Sequence, residues 1–178
     1  MISERQKETL TNLVIAVVIS WVVLLFGPFL MLLVPAIFGV AVINANAKYR
    51  KHAESGFAII ALFIVIFLWG THPFYTIGRL LSDNYFFAQV LGFFGALLLI
   101  FLILKLSLTQ IAIGYIPLIM LICFPFIASM LLGFFLNNNI FDLREGDTIK
   151  RLDLTVLIFQ SLASIFIVST LKNDNSPA

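Results

Sequence analysis

Apolar residues fill five long stretches of the chain, and no Asp, Glu, Lys or Arg interrupts them: 12–44, 57–71, 86–104, 111–136 and 154–170. The charged positions collect in the segments between. A charge at the centre of a bilayer costs about 2.5–3.5 kcal/mol on insertion scales, so this segregation predicts helices that span a membrane.

One span takes about 20 apolar residues, and the first stretch is too long for one. As a straight helix it would rise about 50 Å, against a hydrocarbon core of about 30 Å. Phe26-Gly27-Pro28-Phe29 supplies a turn at its middle, because glycine closes helices and a following proline cannot continue one. The pattern therefore predicts a single transmembrane helical domain over 1–178, an all-α bundle of six spans at about 9–26, 29–47, 54–71, 85–105, 109–136 and 154–171. The alternative is four spans preceded by an N-terminal re-entrant helical hairpin. Both return the chain to its starting side.

Ends and connections follow from local chemistry. Ser3 with Gln6 has capping-box spacing and starts the first helix in water; Ser107 with Gln110 repeats it before the fifth span. In 72–85, Phe74, Ile77, Leu80 and Leu81 share a helical face away from Arg79 and Asp83, so the segment is expected to lie along the membrane surface. Ser82 or Asp83 is expected to cap the fourth span. Pro117 and Pro125 should kink the fifth, and Asn137-Asn138-Asn139 should end it.

Composition excludes other classes. The chain is 61% hydrophobic and 11% charged, where globular domains have roughly 45–50% and a quarter. That leaves too little polar surface for a water-soluble domain. A net charge of +2 argues against nucleic-acid binding, and a lone cysteine, Cys123, excludes a disulfide scaffold.

Lys and Arg set the orientation. Arg5, Lys7, Lys48, Arg50, Lys51, Lys105 and Lys172 fall on one side of the predicted topology, and Arg79, Arg144, Lys150 and Arg151 on the other. The richer side is expected to be cytoplasmic, which puts both termini in the cytoplasm and the protein in a cytoplasmic (inner) membrane. Glu4 and Glu8 speak against a cleavable signal peptide.

The five apolar stretches carry no acidic or basic residue, which argues against proton relays and intramembrane acid–base catalysis. No catalytic, cofactor-binding or metal-ligating residue is expected. His52 and His72 fall on opposite sides, and Cys123 is expected to be a small apolar filler buried in the fifth span. Gln89, Gly92, Tyr115, Gln160 and Ser164 remain as helix-packing or polar lining residues. The Gln160–Ser164 stretch could bond to Gln89, line a narrow path, or act as interhelical glue at about 0.6 kcal/mol per bond. Gly92 with Gly95, and Ser129 with Gly133, allow close helix approach.

The outer polar residues Arg79, Asp142, Arg144, Glu145, Lys150 and Arg151 are the candidates for partner binding, a solvated loop with Asp147 capping the last helix being the alternative. The leading expectation is a non-enzymatic multi-pass protein, an accessory or assembly subunit or an immunity-type protein. Beyond the lipid bilayer, its partner would be another membrane protein or a membrane-targeted polypeptide. The second is a small transporter or channel for a neutral or lipophilic solute. A third, an enzyme acting on lipid head groups through Asp142, Glu145 or Asp147, has no motif behind it.

Overall fold

The computed structural model describes residues 2–26, 33–52, 55–66, 71–112, 114–137 and 148–172. Among these are seven α-helices and no strand: α1 (Glu4–Leu25), α2 (Leu33–Ala45), α3 (Ser55–Val65), α4 (Thr71–Leu81), α5 (Tyr85–Ser107), α6 (Tyr115–Asn137) and α7 (Thr148–Thr170). Three are long and apolar enough to cross a membrane: α1, α5 and α6. The described part of α2, at 13 residues, rises about 20 Å and that of α3, at 11, about 17 Å, each less than the hydrocarbon core of about 30 Å.

The expected capping box forms at α1. The Ser3 hydroxyl accepts from the Gln6 N–H at 3.2 Å, and the Ser3 N–H donates to the Gln6 side chain at 3.0 Å. The second capping box does not form. Ser107 is the last residue of α5, and α6 starts only at Tyr115. Between them the backbone is used elsewhere: Leu108 bridges Arg50, Ile111 bridges Leu171, and Gln110 takes a left-handed φ of 57°. Pro117 consequently falls in the first turn of α6, where its missing N–H costs little, while Pro125 lies inside a continuous helix.

Three further expectations change. The third span is described in two parts, α3 (Ser55–Val65) and a new helix, α4, from Thr71 with Pro73 in its first turn, a favoured place for proline; residues 67–70 lie outside the described ones. Asn84, rather than Ser82 or Asp83, caps α5, its side chain accepting from the Phe86 N–H at 2.9 Å. The last helix begins at Thr148, so Lys150 and Arg151 belong to its first turn. An apolar block marks where lipid contact ends, not where a helix ends. The Gly27-Pro28 turn, Trp69 and the 138–147 loop lie outside the described residues.

The segment expected on the membrane surface instead packs along α5. A Cβ added to Gly95 would fall on the Phe74 ring, and one added to Gly78 would come within 2.7 Å of the Ala88 Cα. This pairing is antiparallel and brings α4 tight against the first half of α5. Ile77, Leu80 and Leu81, the apolar face expected to lie on the membrane surface, are left exposed on the outside.

The remaining helices close a ring in which α1, α2, α3, α5, α6 and α7 each pack on the next, and α7 returns to α1. Its core is filled by side chains rather than by a channel lining. Phe38, Phe63, Leu97, Ile100, Leu104, Phe166 and Ile167 are all fully buried. Phe38 meets Phe63 edge-on at 5.5 Å, and Phe93 stacks on Phe159 at 5.8 Å.

Candidate functional site

One end of the ring is polar and densely tied. Arg5 is only 3% exposed. Its Nε donates to Asn46 Oδ1 at 2.8 Å, its other nitrogens reach Gln110 Oε1 and the Thr109 carbonyl, both at 3.4 Å, and its guanidinium lies 3.7 Å from the centre of the Tyr49 ring. Asn46 is fully buried and donates to the Thr9 hydroxyl at 3.2 Å and the Val42 carbonyl at 3.0 Å. Gln6 donates to the carbonyls of Val168 and Leu171 at the end of α7. Main-chain bonds complete the layer: Thr109 N–H to the Tyr49 carbonyl, Lys51 N–H to Ser107, Ala112 N–H to Thr170 and Lys172 N–H to Gln110.

Four segments far apart in sequence thus meet at this polar end: the start of α1, the 46–51 turn, the 107–112 connection and the end of α7. With the last turn of α5, which adds Lys105, they carry Arg5, Lys7, Lys48, Arg50, Lys51 and Lys172, the cations the sequence put on one side. A guanidinium does not titrate in proteins, so Arg5 contributes a fixed charge and a weld rather than a proton relay.

The second polar group lies deeper. Gln160 is fully buried; its Nε2 donates to the Val34 carbonyl in the first turn of α2 at 3.3 Å, and its Oε1 has no partner. The Ser164 hydroxyl bonds back to the Gln160 carbonyl at 2.8 Å, within its own helix. Ser20 and Ser129 are also buried with their hydroxyl oxygens unpartnered. Gln160 sits about 15 Å along α7 from Thr170, and Val34 about 18 Å along the chain from Asn46, so both lie near mid-depth.

The remaining sequence-selected residues are dispersed. Gln89 is half-buried, about 27 Å from the polar end of α5 and so about 12 Å from Gln160 in depth. Tyr115 is exposed at the polar end of α6, and Gly92 is buried. The five lining candidates do not converge on one path. Cys123 is exposed on the outer face of α6, contrary to the expected buried filler, because that helix buries only a narrow stripe. At the opposite end, Arg79 donates to the Asp83 carbonyl and stacks over Tyr85 at 4.0 Å, which ties it into its own corner. Asp142, Arg144 and Glu145 lie outside the described residues; of Lys150 and Arg151 only the helical backbone is described. Among the described residues, no three His, Cys, Asp or Glu side chains gather as metal ligands would.

Sequence reasoning used Arg5 only as a topology marker and passed over Asn46, Tyr49, Thr109 and Gln110. A signal for Arg5 was present. Arg5, Thr9, Leu13, Ala16 and Ser20 recur at helical spacing, and all five are buried on one face of α1. A cation at the head of an inward stripe must find partners inside.

Compared with known proteins, the chain matches no family model, and no curated protein or solved structure is significantly similar to it. What the fold defines is therefore a class. This is an all-helical protein whose described residues include three helices able to cross a membrane, consistent with membrane association.

Proposed function

We infer that the chain is an integral protein of a cytoplasmic membrane that crosses the bilayer six times and works by contact with another membrane protein. The role would be that of an accessory, assembly or immunity-type subunit without catalysis. Six crossings are supported by the way α3 and α4 succeed each other along α5. Counted from the polar end, the described α3 extends about 17 Å, and Phe74 of α4 rests on Gly95 at about 18 Å. Together the described parts match the full length of α5, as one span would. The cation-rich polar end, which also holds residues 3–6 and 171–172, is the side expected in the cytoplasm.

Contact with a partner is supported by one observation above all, the open site at Gly133. A Cβ there would meet nothing within 4 Å, on a helix whose apolar side chains Phe126, Ile127, Met130, Leu131 and Phe134 are exposed. Ser129 lies one turn away with its buried hydroxyl unpartnered. Ser129 itself faces the bundle interior, so the opening is at Gly133 alone, where a small residue lets a second helix approach closely in lipid. This site lies at the end of α6 that leads into the 138–147 loop, the segment that holds Asp142, Arg144 and Glu145.

The test is photo-crosslinking of the protein in native membranes, with co-purification in mild detergent. With the probe at the exposed position 130, which leaves Gly133 in place, a discrete adduct with one membrane protein, abolished by Gly133→Leu or by deleting 142–151, is expected. A protein that stays solitary under these conditions sinks the reading.

A second reading, passage of a small neutral solute, is favoured by the unpartnered Gln160 Oε1 of the amide that bonds Val34 in α2. Broken helices near mid-depth are a known way to expose backbone groups to a substrate. Solute flux into proteoliposomes that disappears in Gln160→Leu would support it.

A further inference from the structure

We propose that the corner where the 46–52 turn meets the end of α5 binds the phosphate of an anionic phospholipid, with the acyl chains running down α5 beside α3. The inference rests on the membrane-integral reading above.

The main chain fixes this corner. Thr109 N–H donates to the Tyr49 carbonyl at 2.7 Å, Lys51 N–H donates to the Ser107 carbonyl at 3.0 Å, and Arg50 bridges Leu108. Lys51 Nζ donates to the Lys105 carbonyl, which holds its ammonium over the last turn of α5. Lys105 itself is exposed there, and Lys48 is exposed on the neighbouring 47–49 turn. The Arg50 guanidinium lies over the first turn of α3, where a Cβ on Gly56 would come within 2.9 Å of it. Against these four cations, residues 46–56 and 105–111 contain one acid, Glu54.

Below the cations the surface turns apolar. On α5, Leu102 lies one turn below Lys105 on its face, 45% exposed, and Leu106 beside Lys105 is 74% exposed. On the neighbouring α3, Phe57, Leu62 and Val65 are exposed. A free phosphate would satisfy the cations and leave this strip bare; a zwitterionic lipid would cover the strip and leave net positive charge. Only an anionic amphiphile matches both.

The experiment uses the full chain, delipidated in neutral maltoside detergent, and reads binding by thermal shift and by native mass spectrometry. The probes are phosphatidylglycerol, phosphatidylcholine and inorganic phosphate. Phosphatidylglycerol should raise the melting temperature and remain bound, while the other two do neither. Lys48→Gln/Lys105→Gln, which spares the Lys51 bond, should weaken phosphatidylglycerol binding about thirtyfold, with an unchanged melting temperature in phosphatidylcholine. Equal responses to the two lipids would overturn the site while leaving the membrane reading intact. An equal response to inorganic phosphate would overturn the lipid assignment. Failure to co-float with liposomes of either lipid would overturn the membrane reading itself.

Discussion

Arg5 and Asn46, 41 positions apart in sequence, form a 2.8 Å hydrogen bond with both side chains buried, and this contact locks the start of α1 to the end of α2. Asn46 serves the cluster twice, accepting from Arg5 and donating to Thr9 and Val42. Asn46→Ala removes all three bonds and leaves a guanidinium short of a partner. A cost of about 2–3 kcal/mol is expected, since bonds to charged groups are worth about 1.5–3 kcal/mol. Arg5→Lys should not restore stability, because an ammonium cannot reproduce the fork and the stacking on Tyr49. Thermal melting in detergent checks both; an Asn46→Ala protein that melts with the wild type would show the cluster to be ornamental.

The same end of the ring predicts a labelling pattern. In a Cys123→Ser background, single cysteines replacing Lys7, Lys48, Lys105 and Lys172 should react with an impermeant maleimide from one side of the membrane. Ser82→Cys, at the α4–α5 corner, should react only from the other. If the polar end is cytoplasmic, the first four label in inverted vesicles and not in intact cells. A split within the first four would break the six-crossing arrangement.

The all-helical class and the gathering of seven cations at one end were legible because charge is expelled from lipid whatever the tertiary details. The capping box at Ser3 was legible because it is local. What escaped was set by partners distant in sequence. The Ser107–Gln110 spacing is as good as the Ser3–Gln6 one, yet Leu108 spends its backbone on Arg50 and Ile111 on Leu171, so no helix starts there. The apolar face of 72–85 was legible, but nothing in the segment alone says that Phe74 will find Gly95. Thr71-His72-Pro73 did carry a helix-start signal that the continuous apolar run obscured.

That Phe74–Gly95 contact yields a third prediction. Any side chain at Gly95 collides with the Phe74 ring, so Gly95→Ala should displace α4 from α5 and lower the melting temperature. Phe74→Ala alone loses packing but opens the space that the new methyl group needs. The double variant should therefore be more stable than the sum of the single losses implies, with a coupling of about 1 kcal/mol. Additive losses would mean that α4 does not dock on α5 through this pair.

Gln160 separates the two functional readings. Among the described residues its Nε2 bond to Val34 is its one interhelical hydrogen bond, and its Oε1 is buried without a partner. In lipid an interhelical bond is worth about 0.6 kcal/mol on average, less than the cost of an unsatisfied buried amide oxygen, about 1–3 kcal/mol. Gln160→Leu should accordingly melt no lower than the wild type, and Gln160→Met, closer in shape, should match it. If the protein acts by contact, both variants keep the partner adduct formed from position 130. If it passes a neutral solute, both remain folded and lose flux, since the oxygen that stability does not require is the one a solute would use. A Gln160→Leu protein that melts far below the wild type would remove the site from the second reading, because the amide would then be holding α7 to α2 and nothing more.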